Sequence, residues 1–318
     1  MSSRAYPSNL PARYERDKLA ETRQRWDGGL GQRLRAWGPR VMPGVPFEAV
    51  MGFASNGTAK GDPGLTPAHA AFHELGYFGV EGGPYSLPAP NRDTSEPNSW
   101  LRLHNDPRVR AMLGRDATMT PWPVRGVGTS RAEADIPLDD QVAIGLANLA
   151  DDILGMAREA PAAIRPSNPS SLWAVALGFA AWSAGAGRLR QHLARYADAL
   201  AAVPEEQRWL ALIRLAAADP ESAPAGSNHR SPAYTVLRTQ QKLRVGRGLA
   251  RAIGGPVAWF GEIDEAAEDA LARRVDGQAT DYRLVPPAAS GVVVPAVVVL
   301  ASLAVAGAIV WRRRRGRP

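Results

Sequence analysis

An uninterrupted apolar run near the C-terminus is the feature that most constrains this chain. Residues 292–311 contain no charged side chain, and as a helix they would span about 30 Å, the thickness of the hydrocarbon core of a bilayer. The last seven residues contain five arginines, whose charges would meet lipid phosphates while Trp311 lies at the interface. The sequence therefore predicts one transmembrane helix at 291–312 and a basic tail at 313–318.

The orientation of this predicted helix stays open. Residues 1–40 are rich in charged side chains and lack the apolar core of a secretory signal. Arginines after the helix favour a cytoplasmic C-terminus with the large domain outside. A tail-anchored insertion needs no N-terminal signal and would leave that domain inside. Both topologies are single-pass, in a bacterial envelope or in the membrane of a bacterial virus.

Charge and cysteine content exclude several classes of function. The formal net charge is +7, and the five tail arginines account for most of it. The rest of the chain is nearly neutral, so the high pI does not indicate a nucleic-acid partner. With no cysteine the chain has neither disulfides nor thiolate metal sites. His69 and His73 have helical spacing but lack an HExxH pattern, so we expect neither a metal nor a cofactor.

Apolar periodicity predicts a mostly α chain, with no convincing strand pattern. Proline and glycine clusters divide it into segments. The predicted segments are an N-terminal amphipathic helical segment (1–42), a main domain (43–219), a linker with a small helical region (220–290), the transmembrane helix (291–312) and the basic tail (313–318). Helices are predicted at 13–37 with a break at Gly28 and Gly29, and at 46–54, 67–72, 106–113, 138–159, 171–183, 187–202, 204–217, 234–245 and 262–275.

Three segments of the main domain have an informative order and spacing. The first, residues 47–57, is an apolar helix that runs into a polar turn, FEAVMGFASNG. The second, residues 74–80, reads ELGYFGV, and the third, residues 180–189, reads AAWSAGAGRL. Runs of small residues also serve plain helix termination and close packing, so an unrelated helical domain is the alternative. The order of the three segments carries the information.

Together these segments resemble the soluble lytic transglycosylase family over residues 45–216. The lysozyme-like domain of that family has a helix ending in Glu-Ser, often followed by Asn-Gly or Gly-Gly. Gly-Leu-Met/Phe-Gln and Ala-Tyr-Asn-Ala-Gly-Pro-Gly come later in its chain. The resemblance implies a lysozyme-like fold and an action on the MurNAc-GlcNAc strands of peptidoglycan.

The chemistry of that family needs one glutamic acid of raised pKa. It protonates the leaving oxygen of the β-1,4 link, and the sugar's own 6-hydroxyl then captures the oxocarbenium-like centre to give a 1,6-anhydro product. No second carboxylate is required. The family's glutamine and its tyrosine-asparagine pair line the cleft.

The resemblance assigns residues to this site and also exposes departures from the pattern. Ala54 occupies the position of the general acid, and alanine cannot donate a proton. Trp182 and Ser183 replace tyrosine-asparagine, yet an indole can stack on a sugar and a hydroxyl can form hydrogen bonds. The remaining residues expected to contact substrate are Ser55, Tyr77, Phe78 and, in place of the glutamine, Gly79.

Three explanations of Ala54 stay open: a natural pseudoenzyme, a deliberate replacement of the acid, or an enzyme that uses another carboxyl. Glu74 begins the second segment near the predicted cleft rim and is the substitute acid to consider. Glu48 precedes Ala54 by six residues, which places it about 240° away around a helix. We therefore expect Glu48 to point away from the cleft.

The sequence thus predicts a membrane-anchored, lytic-transglycosylase-like protein. It would cleave or bind peptidoglycan strands and would be inactive as written because of Ala54. The competing hypothesis is a non-enzymatic assembly component of a bacterial envelope or phage membrane complex. In that case a protein partner would contact the anchor and the small region 234–282.

Overall fold

Helices form most of the structure, a computed structural model that describes residues 10–49, 103–118, 137–223, 231–278 and 280–284. No strand occurs in these ranges, and the mostly α fold class is confirmed. The helices are α1 (Pro11–Arg25), α2 (Gly31–Val41), α3 (Pro107–Leu113), α4 (Leu138–Glu159), α5 (Leu172–Ala184), α6 (Ala186–Ala201), α7 (Arg208–Ala218), α8 (Pro232–Ala252) and α9 (Glu265–Val275). Short 3₁₀ turns lie at Ala162–Ile164, Glu205–Gln207, Pro220–Ser222 and Ala258–Phe260.

Local capping explains why several helices begin where the sequence predicted. The Asp106 carboxylate accepts the backbone N–H of Arg108 at 2.8 Å, at the start of α3. Ser171, Ser231 and Asp264 cap α5, α8 and α9 in the same way. Such caps satisfy backbone donors that have no partner within the helix. The bounds of α4 match the predicted 138–159.

A glycine break separates the first two helices. The π-helical turn Trp26–Leu30 contains Gly29 at φ 95°, a backbone conformation that L side chains rarely adopt. The predicted interruption at Gly28 and Gly29 is confirmed. The chain turns here, so that α1 packs along α8 while α2 packs on α4 and α3.

Helix α5 forms the apolar centre of the described body. Its residues 173–181 are all buried, and α4, α8, α6 and α7 surround it. The Trp173 indole N–H donates to the Ile164 carbonyl at 2.8 Å, so its polar atom is satisfied inside the core. Helix α4 approaches closely because Gly178 has no side chain: an added Cβ would lie 2.7 Å from the Ile153 Cα.

Helix α8 is buried along nearly its whole length although its sequence is polar. Arg244 donates to Glu15 on α1 and to Glu268 on α9, both at 2.8 Å. Gln240 donates to Glu268 at 2.7 Å and accepts the Trp209 indole N–H of α7 at 2.8 Å. These bonds compensate for burying charged groups. Four helices are thereby joined through one polar cluster.

The described residues up to Thr280 belong to one compact unit. The boundaries predicted after residues 42 and 219 fall inside this unit, because α8 packs against both α1 and α5. A second unit comprises Asp281–Pro318, of which residues 281–284 are described.

The predicted transmembrane segment, residues 292–311, lies outside the described ranges. Within those ranges, none of the helices combines the length and the apolar character needed to cross a bilayer.

Two helical glycines make a matched test of the α4–α5 contact. A Cβ at Gly178 would lie 2.4 Å from the Ile153 Cγ1, whereas one at Gly155 on α4 would meet nothing within 4 Å. Gly178→Ala should therefore lower the free energy of unfolding by about 1–3 kcal/mol through overpacking. Gly155→Ala should raise it by up to about 1 kcal/mol through helix propensity. Urea denaturation of the chain in detergent measures both, and equal effects would contradict the described helix crossing.

Candidate functional site

Most residues assigned by the family resemblance lie outside the described ranges. Trp182 and Ser183 are the exceptions, and their backbone forms the last turn of α5. The assigned residues that fall outside are Ala54, Ser55, Glu74, Tyr77, Phe78 and Gly79, and the histidine pair His69 and His73 also lies outside. The predicted acid position and its substitute stay predictions.

The third segment forms a break between two helices. Gly185 follows α5 with φ 82°, and its N–H donates to the Ala181 carbonyl at 2.6 Å. Helix α6 begins at once, and Leu189 N–H donates to the Gly185 carbonyl at 3.0 Å. An added Cβ at Gly185 would meet nothing within 4 Å, so the backbone conformation itself requires glycine. The break fixes the end of the turn that carries Trp182 and Ser183.

The first segment enters the described structure as a single helical turn. Phe47, Glu48 and Ala49 are helical, and Ala49 N–H donates to the Pro46 carbonyl at 3.0 Å. This turn touches α8 where that helix lacks a side chain: a Cβ at Gly246 would lie 2.4 Å from the Glu48 carbonyl oxygen. The absence of a side chain at Gly246 therefore lets the backbone of Glu48 approach α8 this closely.

Glu48 is the most unusual titratable group of the described residues. Its side chain is 1% exposed, and neither carboxyl oxygen has a hydrogen-bond partner among those residues. A Cβ at Gly255, just beyond α8, would lie 2.8 Å from Oε1, so the carboxyl sits close to bare backbone. Burial raises the pKa of Glu48, and the backbone N–H of Glu48 and the positive charge of Arg35 oppose this rise only in part. The carboxyl therefore holds its proton more tightly than a glutamate in water does.

The other buried carboxyls of the described ranges are paired. Arg115 donates to Asp140 at 2.6 Å, and the Thr118 N–H donates to it at 2.7 Å. Burial acts to raise the pKa of Asp140, but these bonds outweigh it and hold the pKa below its usual value. Glu268 is bonded to Arg244 and Gln240. Glu48 differs from both because its carboxyl oxygens have no such hydrogen-bond partner among the described residues. The sequence predicts only that Glu48 points away from the cleft; its apolar neighbours Phe47 and Ala49 are the local sign of its burial.

An aromatic pair lies beside this turn. The rings of Trp26 and Phe47 have centroids 5.4 Å apart and are tilted by 33°. The Arg35 guanidinium lies 5.2 Å from the Trp26 ring centroid. A Cβ at Gly31 would lie 2.1 Å from the Trp26 Cε2, so the indole rests against a bare stretch of α2. Both rings are half-buried and Arg35 is exposed.

A small apolar pocket adjoins the same phenylalanine, between α2 and α4. Its described lining consists of Gly38, Val41, Met42, Val45, Phe47, Leu146, Leu149, Ala150 and Ile153. We call Trp26, Phe47, Arg35 and this pocket the aromatic surface. The described residues contain no group of three or more side chains suited to a metal ion.

Comparisons with known protein families, with curated proteins and with solved structures found no match to this chain. The resemblance to lytic transglycosylases therefore depends on the three segments of the sequence.

Glu48 should give the protein a measurable pH dependence. Because its pKa is raised on folding, the folded state binds the proton more tightly than the unfolded state. The resulting stabilisation is fully present below the ordinary pKa of glutamate and is lost as the pH rises through the raised value. The free energy of unfolding should fall over that window relative to Glu48→Gln, which cannot ionise. Urea titrations at several pH values measure the difference.

The exposed residue Glu206 supplies the control for this titration. Glu206→Gln makes the same chemical change where the carboxyl is in water. A constant difference between wild type and Glu48→Gln across the pH range would show that Glu48 does not titrate as described.

Proposed function

We propose that this protein is a membrane-anchored, lytic-transglycosylase-like protein that binds peptidoglycan glycan strands, with its cleavage chemistry lost at Ala54. The observation that carries the proposal is the order of the three segments along the main domain. The break at Gly185 supports it, because the glycine of the third segment is required by its φ of 82°. Helices α5 and α6 flank this break directly.

The proposed site binds sugar through side chains that are present although the general acid is absent. Trp182 stacks on a sugar ring, and Ser183 forms a hydrogen bond with it. Ser55, Tyr77 and Phe78 complete the cleft lining, and Gly79 leaves space where the family has glutamine. Binding without cleavage follows because alanine cannot protonate the leaving oxygen.

Glu48 does not replace the missing acid in this proposal. A general acid must lie within hydrogen-bond reach of the leaving oxygen, whereas the Glu48 carboxyl is enclosed beside Gly255 and only 1% exposed. Glu74 stays the substitute to test. Loss of any residual activity in Glu74→Gln would assign the proton to that residue.

We propose that residues 292–311 anchor the protein in a membrane and that the tail arginines hold anionic headgroups. Each arginine near such a surface contributes on the order of 1 kcal/mol. Deletion of residues 292–317 should therefore move the chain from the membrane pellet to the soluble fraction. A truncated chain that still sediments with membranes would contradict the anchor. Protease access in intact cells is a separate measurement, which reports the side of the membrane on which the domain lies.

Binding to purified sacculi tests the proposal against its alternative. The full-length chain in detergent should sediment with sacculi, and muramidase digestion of the sacculi should release it. The burial of α8 leaves little of that helix for the protein partner that the alternative assembly role requires. Retention of a membrane protein partner without any binding to sacculi would replace the glycan proposal by the assembly role.

Restoring the acid tests the assignment of Ala54. The wild-type chain should release no 1,6-anhydro product from sacculi, and Ala54→Glu should release a detectable amount. A positioned general acid contributes roughly 10² to 10⁴ in rate, so even an imperfect cleft should show the gain. Ala54→Gln matches the size of the new side chain without its proton and should stay silent. Product from the wild-type chain, or from both variants alike, would overturn the assignment.

A further inference from the structure

We propose that Arg247 and Arg251 on α8 form a binding site for a phosphate group. They continue the polar cluster around Arg244 toward the C-terminal end of α8, which is Ala252. Neither arginine is among the residues assigned to glycan binding, and the site does not depend on that function.

Polar side chains recur along one face of α8. The residues at positions i, i+4, i+7 and i+11 are Gln240, Arg244, Arg247 and Arg251, and this spacing places them on one stripe of the helix. Gln240 and Arg244 both bond Glu268 on α9, so the stripe begins inside the body. It ends at the surface, because Arg247 is half-buried and Arg251 is exposed.

The carboxylates beside this stripe leave part of its charge unbalanced. Glu15 on α1 and Glu268 on α9 both accept from Arg244, each at 2.8 Å. Arg247 and Arg251 have neither a hydrogen bond nor an ion pair with a carboxylate among the described residues. Two positive charges of the stripe are therefore available to an anion.

The position of Glu15 explains why it serves one arginine of the stripe. A Cβ at Gly248 would lie 2.9 Å from the Glu15 Oε1, so this carboxylate lies directly against bare backbone of α8. Its other oxygen, Oε2, accepts the Nε–H of Arg244. The carboxylate is thus held beside Arg244 and Gly248 and accepts no hydrogen bond from Arg247.

Arg247 also has a donor that is enclosed without an acceptor. Its Nε atom is buried and has no hydrogen-bond partner among the described residues. Such a donor costs free energy, and each instance in a folded protein calls for an explanation such as a bound ion. An oxyanion at the guanidinium would accept this N–H.

The charges around Arg247 favour the same occupant. Burial, followed by the positive charges of Arg251 and Arg244, lowers the pKa of Arg247, and Glu15 and Glu268 oppose this effect only in part. The guanidinium stays charged at neutral pH, as arginine does in proteins. An anion next to it would relieve the repulsion between neighbouring arginines.

A favourable contact with the helix dipole is the simpler account of these charges, but it covers only one of them. Cations in the last turn of a helix interact favourably with its C-terminal carbonyls, and Arg251 lies in that turn of α8. The effect falls off within one turn, whereas Arg247 lies a further turn back. The dipole also leaves the Nε–H of Arg247 without an acceptor.

A phosphate group suits this pair better than a carboxylate does. Side chains four residues apart on a helix have Cβ atoms about 6 Å apart, so both guanidinium groups can approach one ligand. Arginine forms paired, charge-assisted hydrogen bonds with phosphate, and the oxygens of a phosphate group offer acceptors to two such groups. The source is either a soluble phosphate or the headgroup of an anionic lipid in the membrane that the proposed anchor enters.

The thermal unfolding midpoint of the full-length chain in uncharged detergent tests the site. A ligand that binds the folded state raises this midpoint, and the concentration dependence gives its affinity. The probes are inorganic phosphate in the buffer and phosphatidylglycerol in the micelles. At least one probe should raise the midpoint of the wild-type chain by several degrees. Arg247→Gln and Arg251→Gln should each weaken the affinity tenfold or more, because each removes charge-assisted hydrogen bonds.

Matched controls make the result specific to the arginine pair and to phosphate. Arg190→Gln removes an exposed arginine from α6 and should respond to each probe like the wild type. Sodium acetate at the same ionic strength replaces phosphate by a carboxylate, and phosphatidylcholine replaces phosphatidylglycerol by a lipid without net charge. Neither replacement should raise the midpoint. The tail arginines are common to every variant and cancel from the comparison.

The midpoint without any probe separates a binding role from a structural one. Arg247→Gln removes no hydrogen bond or ion pair made among the described residues, and it relieves the repulsion from Arg244 and Arg251. Without a probe the variant should therefore unfold at the wild-type temperature or above it. A structural arginine would show the reverse, because its loss would remove contacts from the folded state.

The outcomes identify the ligand or overturn the site. A response to inorganic phosphate assigns a soluble ligand, and a response to phosphatidylglycerol alone assigns a lipid headgroup. A wild-type chain that responds to neither probe, or equally to a control compound, would overturn the site. An equal loss of affinity in Arg190→Gln, or a lower midpoint of Arg247→Gln without a probe, would also overturn it. Sacculus binding should be unchanged in Arg247→Gln, so a failure of the glycan proposal and a failure of this site are seen separately.

Discussion

The contact between Arg244 and Glu268 is the interaction on which the rest of the helical body depends. Both side chains are enclosed, with 8% and 1% of their residue surfaces exposed, and taking such charges out of water costs several kcal/mol each. The cost is offset because Glu15 and Gln240 supply further hydrogen bonds. Losing Arg244 would leave Glu268 without a cation inside the body, at the point where α1, α8 and α9 meet, and losing Glu268 would leave Glu15 as the one carboxylate bonded to Arg244 among the described residues.

The central place of α8 explains what could not be predicted from the sequence. Caps such as Asp106 and Ser171 and the apolar face of α4 act over a few residues, so these helices were predicted nearly to the residue. Helix α8 has the polar composition of a peripheral helix, so the sequence predicts that it belongs to a small separate region. Its burial depends on Glu15, which is 229 positions from Arg244, and pairing over that separation leaves no local pattern.

The candidate site also combines features that can be predicted from local sequence with features that cannot. The break at Gly185 was predictable because a motif of small residues specifies a local backbone conformation. The contact of the Trp26 ring with Gly31 was not predictable from the sequence, although the break at Gly28 and Gly29 was predictable. A glycine that admits a neighbouring ring looks in sequence like any other glycine, and only the path of the chain reveals which atoms approach it.

Helix α5 contains one glycine and ends at another, and the two exclude side chains for opposite reasons. Gly185 has open space around it but a backbone conformation that L side chains do not accept, so no change elsewhere can make another residue fit. Gly178 has ordinary helical conformation, but the backbone of α4 occupies the space, since an added Cβ would lie 2.7 Å from the Ile153 Cα. Among descendants of this sequence, a side chain at position 178 therefore requires α4 and α5 to move apart, whereas position 185 must stay glycine for as long as the chain breaks there.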